Sequence, residues 1–209
     1  MTDKILVMVD TESFTPNLFK RAAQLSKGID APFEVIFFQL SGEESSNKAE
    51  LEYTLSEVHH LSKQFGANQI HIKRCENERE LFRILKAFIN KHAFTQLVTT
   101  HIGDSRWEEI IYGSFENFLI SKMPYLDLHF LSSQQLKDHN ESFERGIYAY
   151  LHKSENSDSY MLTFERKLND DMKGVFFKDV TTDFDSGVFM SLTEELKEYK
   201  IINGTAIKK

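Results

Sequence analysis

The sequence predicts an α/β fold, a five-stranded parallel open sheet with helices on both faces, followed by a small α+β domain with a mainly antiparallel sheet. Three observations carry this. Apolar runs alternate with amphipathic segments through residues 1–131, the grammar of right-handed βαβ crossovers. The opening run "KILVMV" is apolar throughout its centre, as in a strand buried on both faces of a sheet. Beyond residue 132 short β-type runs follow one another across polar turns, which indicates antiparallel pairing.

Strand one covers residues 4–9. The next helix takes Thr15 as its N-cap, Pro16 as its first residue and Gly28 as its stop, the residue types those positions favour. Strand two is "FEVIFFQL", residues 33–40. Leu51, Leu55, Val58, Leu61 and Phe65 recur at spacings of three and four, so residues 46–65 form a helix. Strand three is "QIHIKR", 69–74, and the helix after it spans 77–92 with Asn77 as cap and Lys91 and His92 at its end, matching the helix dipole. Strand four spans 95–101, a helix 112–122 and strand five 125–132. Residues 133–141 lie in the polar stretch "SSQQLKDHNES" and form a linker. In the second domain, 142–209, four β-type runs precede or flank one expected helix, "SLTEELKEYK", at 191–200.

A chain of 209 residues suits one domain plus a small one. Its 18 phenylalanines against one tryptophan give a Phe-rich core. The 25 basic and 32 acidic side chains leave a net charge of -7, which disfavours nucleic acid and anionic membranes. No apolar run approaches membrane-spanning length and no signal-type segment opens the chain, so a cytoplasmic location is expected. A lone cysteine, Cys75, excludes an internal disulfide; it reads as a structural thiol, with catalysis as the weaker alternative. His59 and His60 are adjacent on a helix and diverge, so no metal site is expected. The acidic pairs Glu43–Glu44 and Asp170–Asp171 fall in turns, where solvation accounts for them. No nucleophile elbow is present, and no catalytic residue is assigned.

Ligands of open parallel sheets bind beyond the carboxyl ends of the strands, where strand order reverses. Strand one ends at Asp10, with Thr11 next, strand two at Gln39 and Leu40, just after Phe38, and strand four at Thr100 and His101, so these ends converge on one crevice. The stretch "THIGDSRWEEIIYGSFENFL" begins at that edge. Gly103 permits close backbone approach, while Gly113 and Ser114 open the next helix with amides and a hydroxyl suited to phosphate. Asp10 either meets a ligand or caps the following helix.

Residues 1–131 resemble the universal stress protein fold, an adenine nucleotide alpha hydrolase-like sheet, and more narrowly the universal stress protein-like domain of KdpD-type potassium-sensing histidine kinases. The resemblance rests on "ILVMVDTES…NLFKRAAQLS", "LSKQFGANQIHI", "LFRILKAFINKHAFTQLVTTHIGDSRWEEIIYGSF" and "YLDLHFLS". Gly103, Ser105, Arg106, Trp107, Gly113 and Ser114 match the glycine, the Ser-Arg-Trp triplet and the late Gly-Ser of such domains. It implies a cytoplasmic, non-catalytic sensor that dimerises and binds an adenine nucleotide, cyclic di-AMP or ATP/AMP, in potassium or stress signalling. In that reading Arg106 pairs with phosphate, Trp107 stacks on adenine, and the backbone after Phe38 reads an adenine edge. The ATP-binding glycine pattern is incomplete, since Asp104, Ser105 and Arg106 follow Gly103.

Other readings stay open. Trp107 can plug the sheet edge, and Arg106 can pair with Glu108 or Glu109 in solvent. A weak ATPase would need Asp10 or Asp104 to hold a metal. A third reading is a structural interaction module with no ligand, in which Phe176, Phe177, Phe184 and Phe189 of the second domain meet a protein partner.

Overall fold

The structure is a computed structural model that describes residues 2–11, 14–40, 48–100, 115–131, 143–154, 159–182, 184–193 and 196–208. Contacts divide the chain into two compact units, Met1–Gly42 with Leu61–Leu136, and Glu43–His60 with Lys137–Lys209. The predicted linker at 133–141 lies outside the described residues.

The first unit is built on five parallel strands, β1 (Ile5–Asp10), β2 (Phe33–Leu40), β3 (Ile70–Cys75), β4 (Gln96–Thr100) and β5 (Asp127–Leu131), in the order β3-β2-β1-β4-β5. Every residue of β1 and β4 is buried, as the apolar run at 4–9 predicts. Alternation sends Leu6, Met8, Ile36, Phe38 and Leu97 to one face, where they meet Leu81, Leu85 and Ile89 of α3 (Glu78–His92) and Leu119 of α4 (Phe115–Lys122). Leu18, Phe19 and Ala22 form the buried stripe of α1 (Pro16–Ile29), which packs on β1 and β4.

The caps explain where these helices begin. Thr15 accepts the Asn17 amide at 3.4 Å ahead of Pro16. Asn77 accepts the Glu80 amide at 3.1 Å, while the Glu80 carboxylate accepts the Glu76 amide at 3.0 Å, a reciprocal arrangement of the capping-box kind. Gly28 is not the stop of α1. The helix continues to Ile29 and ends at Asp30, whose φ of 53° takes the left-handed position, and the Ser26 carbonyl accepts the Asp30 and Ala31 amides.

The second unit holds six antiparallel strands: β6 (Ile147–Lys153), β7 (Tyr160–Thr163), β8 (Met172–Lys178), β9 (Gly187–Ser191), β10 (Glu198–Ile202) and β11 (Thr205–Lys208). They close into a barrel in the order β10-β11-β7-β6-β8-β9, which leaves no sheet edge. Ala149, Leu151, Phe176, Phe189, Tyr199, Ile201 and Ala206 fill it. Gly174 makes room: a Cβ there would stand 2.2 Å from the Phe189 ring and 2.4 Å from the Met190 carbonyl.

The helix expected at 191–200 is replaced by the end of β9 at Ser191 and the start of β10 at Glu198. The helix formers Glu, Lys and Leu in that stretch yield to pairing, since Tyr199 and Ile201 alternate into the barrel and Tyr199 stands opposite Phe189. The run "KIINGTAIK" is two strands rather than one. Asn203 and Gly204 turn it back with φ values of 48° and 75°, the signature of a two-residue primed hairpin turn.

The helix of the second unit is contributed from earlier in the chain. In α2 (Lys48–Phe65), residues up to His60 group with the barrel. Glu50 accepts the Gly146 amide at 2.7 Å, Glu52 accepts the Tyr148 hydroxyl at 2.7 Å and the Lys173 ammonium at 2.8 Å, and Tyr53 meets Phe177 edge-on at 5.4 Å. Lys173, Val175 and Phe177 share the outer face of β8, and Val175 is fully buried there. Burial raises the Glu52 carboxyl, but the hydrogen bonds from Lys173 and Tyr148 outweigh it and hold the group below the ordinary carboxylate range. Burial and the bond to Glu52 push the Tyr148 hydroxyl up to about 12.

Candidate functional site

Strand order reverses between β1 and β4, and there the sheet parts. The ladder between them runs Ile5↔Gln96, Leu6↔Leu97 and Val7↔Val98 and stops. On their outer sides the same strands stay paired further, β1 with β2 as far as Asp10↔Phe38 and β4 with β5 as far as Thr100↔Leu131. Met8–Asp10 and Thr99–Thr100 are therefore unpaired with one another at the carboxyl end of the sheet, and all five are buried. This is the topological switch point, beyond which open α/β sheets take ligands.

Four sequence-predicted residues are described, and all sit at this end. Asp10 closes β1 and is 4% exposed, Thr11 follows it half-buried, and Phe38 and Gln39 lie near the end of β2, both buried. The Gln39 carbonyl accepts a long contact from the Cys75 thiol at 3.8 Å, which places Cys75 in the core rather than in a reactive setting. The remaining predicted residues, His101, Gly103, Ser105, Arg106, Trp107, Gly113 and Ser114, lie outside the described residues.

Two threonines close β4 at this end, of which the sequence reading names Thr100 as a strand end and passes over Thr99. Thr99 and Thr100 are buried to 1% and 0% exposure, and neither hydroxyl has a hydrogen-bond partner. With Ser62 they are the buried side chains among the described residues in this condition. Leaving such a group unsatisfied costs about 1–3 kcal/mol. Their signal in the sequence is a polar pair at the end of an otherwise apolar strand, "QLVTT". From the alternation of the strands, Thr99 shares the face of Met8 and Asp10, and Thr100 that of Val9.

The other polar clusters sit elsewhere. His71 lies 2.7 Å from Glu34, which Lys4 approaches at 3.6 Å, near the amino-terminal ends of β1, β2 and β3. His129 contacts Gln96 at 3.1 Å on edge strand β5. In the second unit the pattern that leaves both Asp170 and Asp171 to solvent holds only for Asp170. Asp171 is buried, and the Leu168 amide, the His152 ring and the Lys167 amide hold its carboxyl down to about 2. Phe176 and Phe189 are core, whereas Phe184 is 67% exposed. His59 and His60 are exposed on α2, and no group of three or more His, Cys, Asp or Glu among the described residues is arranged to hold a metal ion. No helix among the described residues is long and apolar enough to cross a membrane.

No family model matches the chain, and no curated protein matches it. Solved structures similar to it include a universal stress protein in complex with cAMP, at 16% identity over 64% of this chain and 98% of that one, with a TM-score of 0.45. A universal stress protein from Archaeoglobus fulgidus in complex with dAMP is 19% identical over 62% of this chain and 98% of that one, at 0.42. A macrolide-efflux protein from Streptococcus pneumoniae is 8% identical over 99% of this chain and 79% of that one, at 0.49.

Proposed function

We propose that the chain is a non-catalytic, cytoplasmic sensor that binds an adenine nucleotide, cyclic di-AMP or ATP/AMP, at the parted end of its parallel sheet. The observation that carries the reading is the early end of the β1–β4 ladder, with buried Asp10 at the end of β1 there and buried Gln39 at the end of the neighbouring β2. The KdpD-like series Gly103, Ser105, Arg106, Trp107, Gly113 and Ser114 begins three residues beyond Thr100 and supports the same ligand class. Occupancy is passed on to a protein partner or within a homodimer, in a potassium or stress response.

Calorimetric titration with cyclic di-AMP, ATP and AMP tests this, with Trp107 fluorescence recorded alongside. Saturable binding of at least one of them with a tryptophan response is expected. Heat and fluorescence that ignore all three contradict the reading. Magnesium-dependent phosphate release from ATP that disappears in Asp10→Ala would replace sensing by hydrolysis.

One observation favours a second reading, an interaction module acting through the barrel. Val180, Phe184 and Ile202 are exposed, and their loops are tied together where the Gly204 amide donates to the Asp185 carbonyl at 2.8 Å and the Asn203 amide to the Ser186 hydroxyl at 3.0 Å. Exposed apolar groups on a firmly bonded loop suit a protein surface.

A further inference from the structure

We propose that the turn joining α3 to β4 is an acid-released latch, held shut by a neutral His92 and let go when that ring takes up a proton. It stands apart from nucleotide binding and lies at the amino-terminal end of the sheet, away from the switch point.

The end of α3 rests on an aromatic and charged cluster. The His92 ring stacks on Phe88 with centroids 4.3 Å apart, and Phe88 stacks on Phe94 at 5.7 Å. The His71 ring of β3 stands 5.9 Å from His92 and meets Phe88 edge-on at 4.7 Å. Lys4, just ahead of β1, donates to the His92 carbonyl at 3.2 Å and lies 4.9 Å from the Phe94 ring centre. The turn that follows is strained: Ala93 holds a φ of 55°, a left-handed conformation that costs any residue with a Cβ.

Among the described residues, the charged and titratable groups around the ring are Lys4 ahead of β1, Glu34 of β2, His71 and Lys73 of β3, and Lys91 of α3 itself. Glu34 is the one carboxylate in that set, and both of its oxygens are engaged. Its Oε2 stands 2.7 Å from His71 Nε2 and its Oε1 3.6 Å from Lys4 Nζ. Asp3, the acid ahead of Lys4, takes the Thr95 hydroxyl at 2.9 Å. A cationic His92 therefore adds positive charge beside Lys4 and Lys91 without a carboxylate of its own. A helix end favours a cation, but the Lys4 ammonium already occupies the His92 carbonyl.

Burial first, then Lys91, His71 and Lys4, hold the ring below its ordinary value of 6.5 against the pull of Glu34. A group depressed in this way contributes stability that is fully present above its unfolded value and lost as pH falls through its folded one. Acid thus favours the state in which His92 has left the stack for water. That departure also frees the strained Ala93 turn and the Lys4 bond.

The test measures hydrogen-exchange protection of the amides of residues 89–94, relative to their intrinsic rates, at about pH 7.5 and about pH 5.5, on either side of the histidine range. Full-length wild type is compared with His92→Phe, which keeps a stacking ring that cannot charge, and His92→Lys, which is charged at both. Wild type is expected to lose protection there by roughly two- to tenfold at the lower pH, while the core of β2 keeps its own. His92→Phe holds its protection at both, and His92→Lys is open at both. An acid loss of the same size in wild type and His92→Phe overturns the proposal. So does His92→Lys protected like wild type at the higher pH, or an acid loss spread equally over β2, which would make the effect one of the whole fold.

Discussion

Asp171 shows how a single carboxylate can be misjudged from its neighbours. Sequence places it in an acidic turn, yet it anchors that turn by accepting the Lys167 and Leu168 amides and the His152 ring. Its pKa falls from the ordinary 3.8 to about 2, and a depressed carboxylate contributes stability that is fully present above its unfolded value and lost as pH falls through its folded one. Asp171→Asn is expected to lower the melting midpoint at neutral pH and to flatten the acid limb between 3.8 and about 2. Thermal denaturation across that range checks it. The places of Asp10 and Gln39 at the carboxyl ends of β1 and β2 were legible because an apolar run marks where a buried strand ends. That the Thr99 and Thr100 hydroxyls lack partners was not legible, because threonine is an ordinary strand residue and a missing hydrogen bond is a property of the surroundings, not of the sequence.

At the scale of elements, the first sheet was readable because a strand buried on both faces leaves an unbroken apolar run, and the helix caps Thr15 and Asn77 carry their own chemistry. The barrel was less so. Residues 191–200 favour a helix by composition, and only the partners of Tyr199 and Ile201 in the barrel core decide otherwise. Local preference gave way to packing. The α2 seam is a further case, because the amphipathic stripe of a helix says that it covers a core without saying which one. Glu52 joins Tyr148 and Lys173 across it, but the Glu52 and Lys173 side chains are 44% and 43% exposed, so the ion pair is discounted towards surface values. Glu52→Gln is expected to cost about 0.5–1 kcal/mol, less at high salt, with the loss measured by urea denaturation at two ionic strengths.

Across the whole molecule, the second unit is discontinuous in sequence, since Glu43–His60 group with Lys137–Lys209. A fragment of residues 142–209 lacks the helix whose Glu50, Glu52 and Tyr53 meet the barrel, and it exposes the Val175 and Phe177 face of β8. Such a fragment is expected to unfold without a cooperative transition. The same fragment with residues 43–60 joined by a flexible linker should recover one, as followed by circular dichroism.

Hydrogen exchange with and without saturating cyclic di-AMP or ATP shows where the first unit binds its ligand. Nucleotide is expected to slow exchange at Asp10 and Thr11 and in the residues that follow Thr100, while the β3 edge and the barrel strands keep their rates. Unchanged exchange at the carboxyl ends of β1 and β4 with either nucleotide, or protection confined to the barrel, would contradict it.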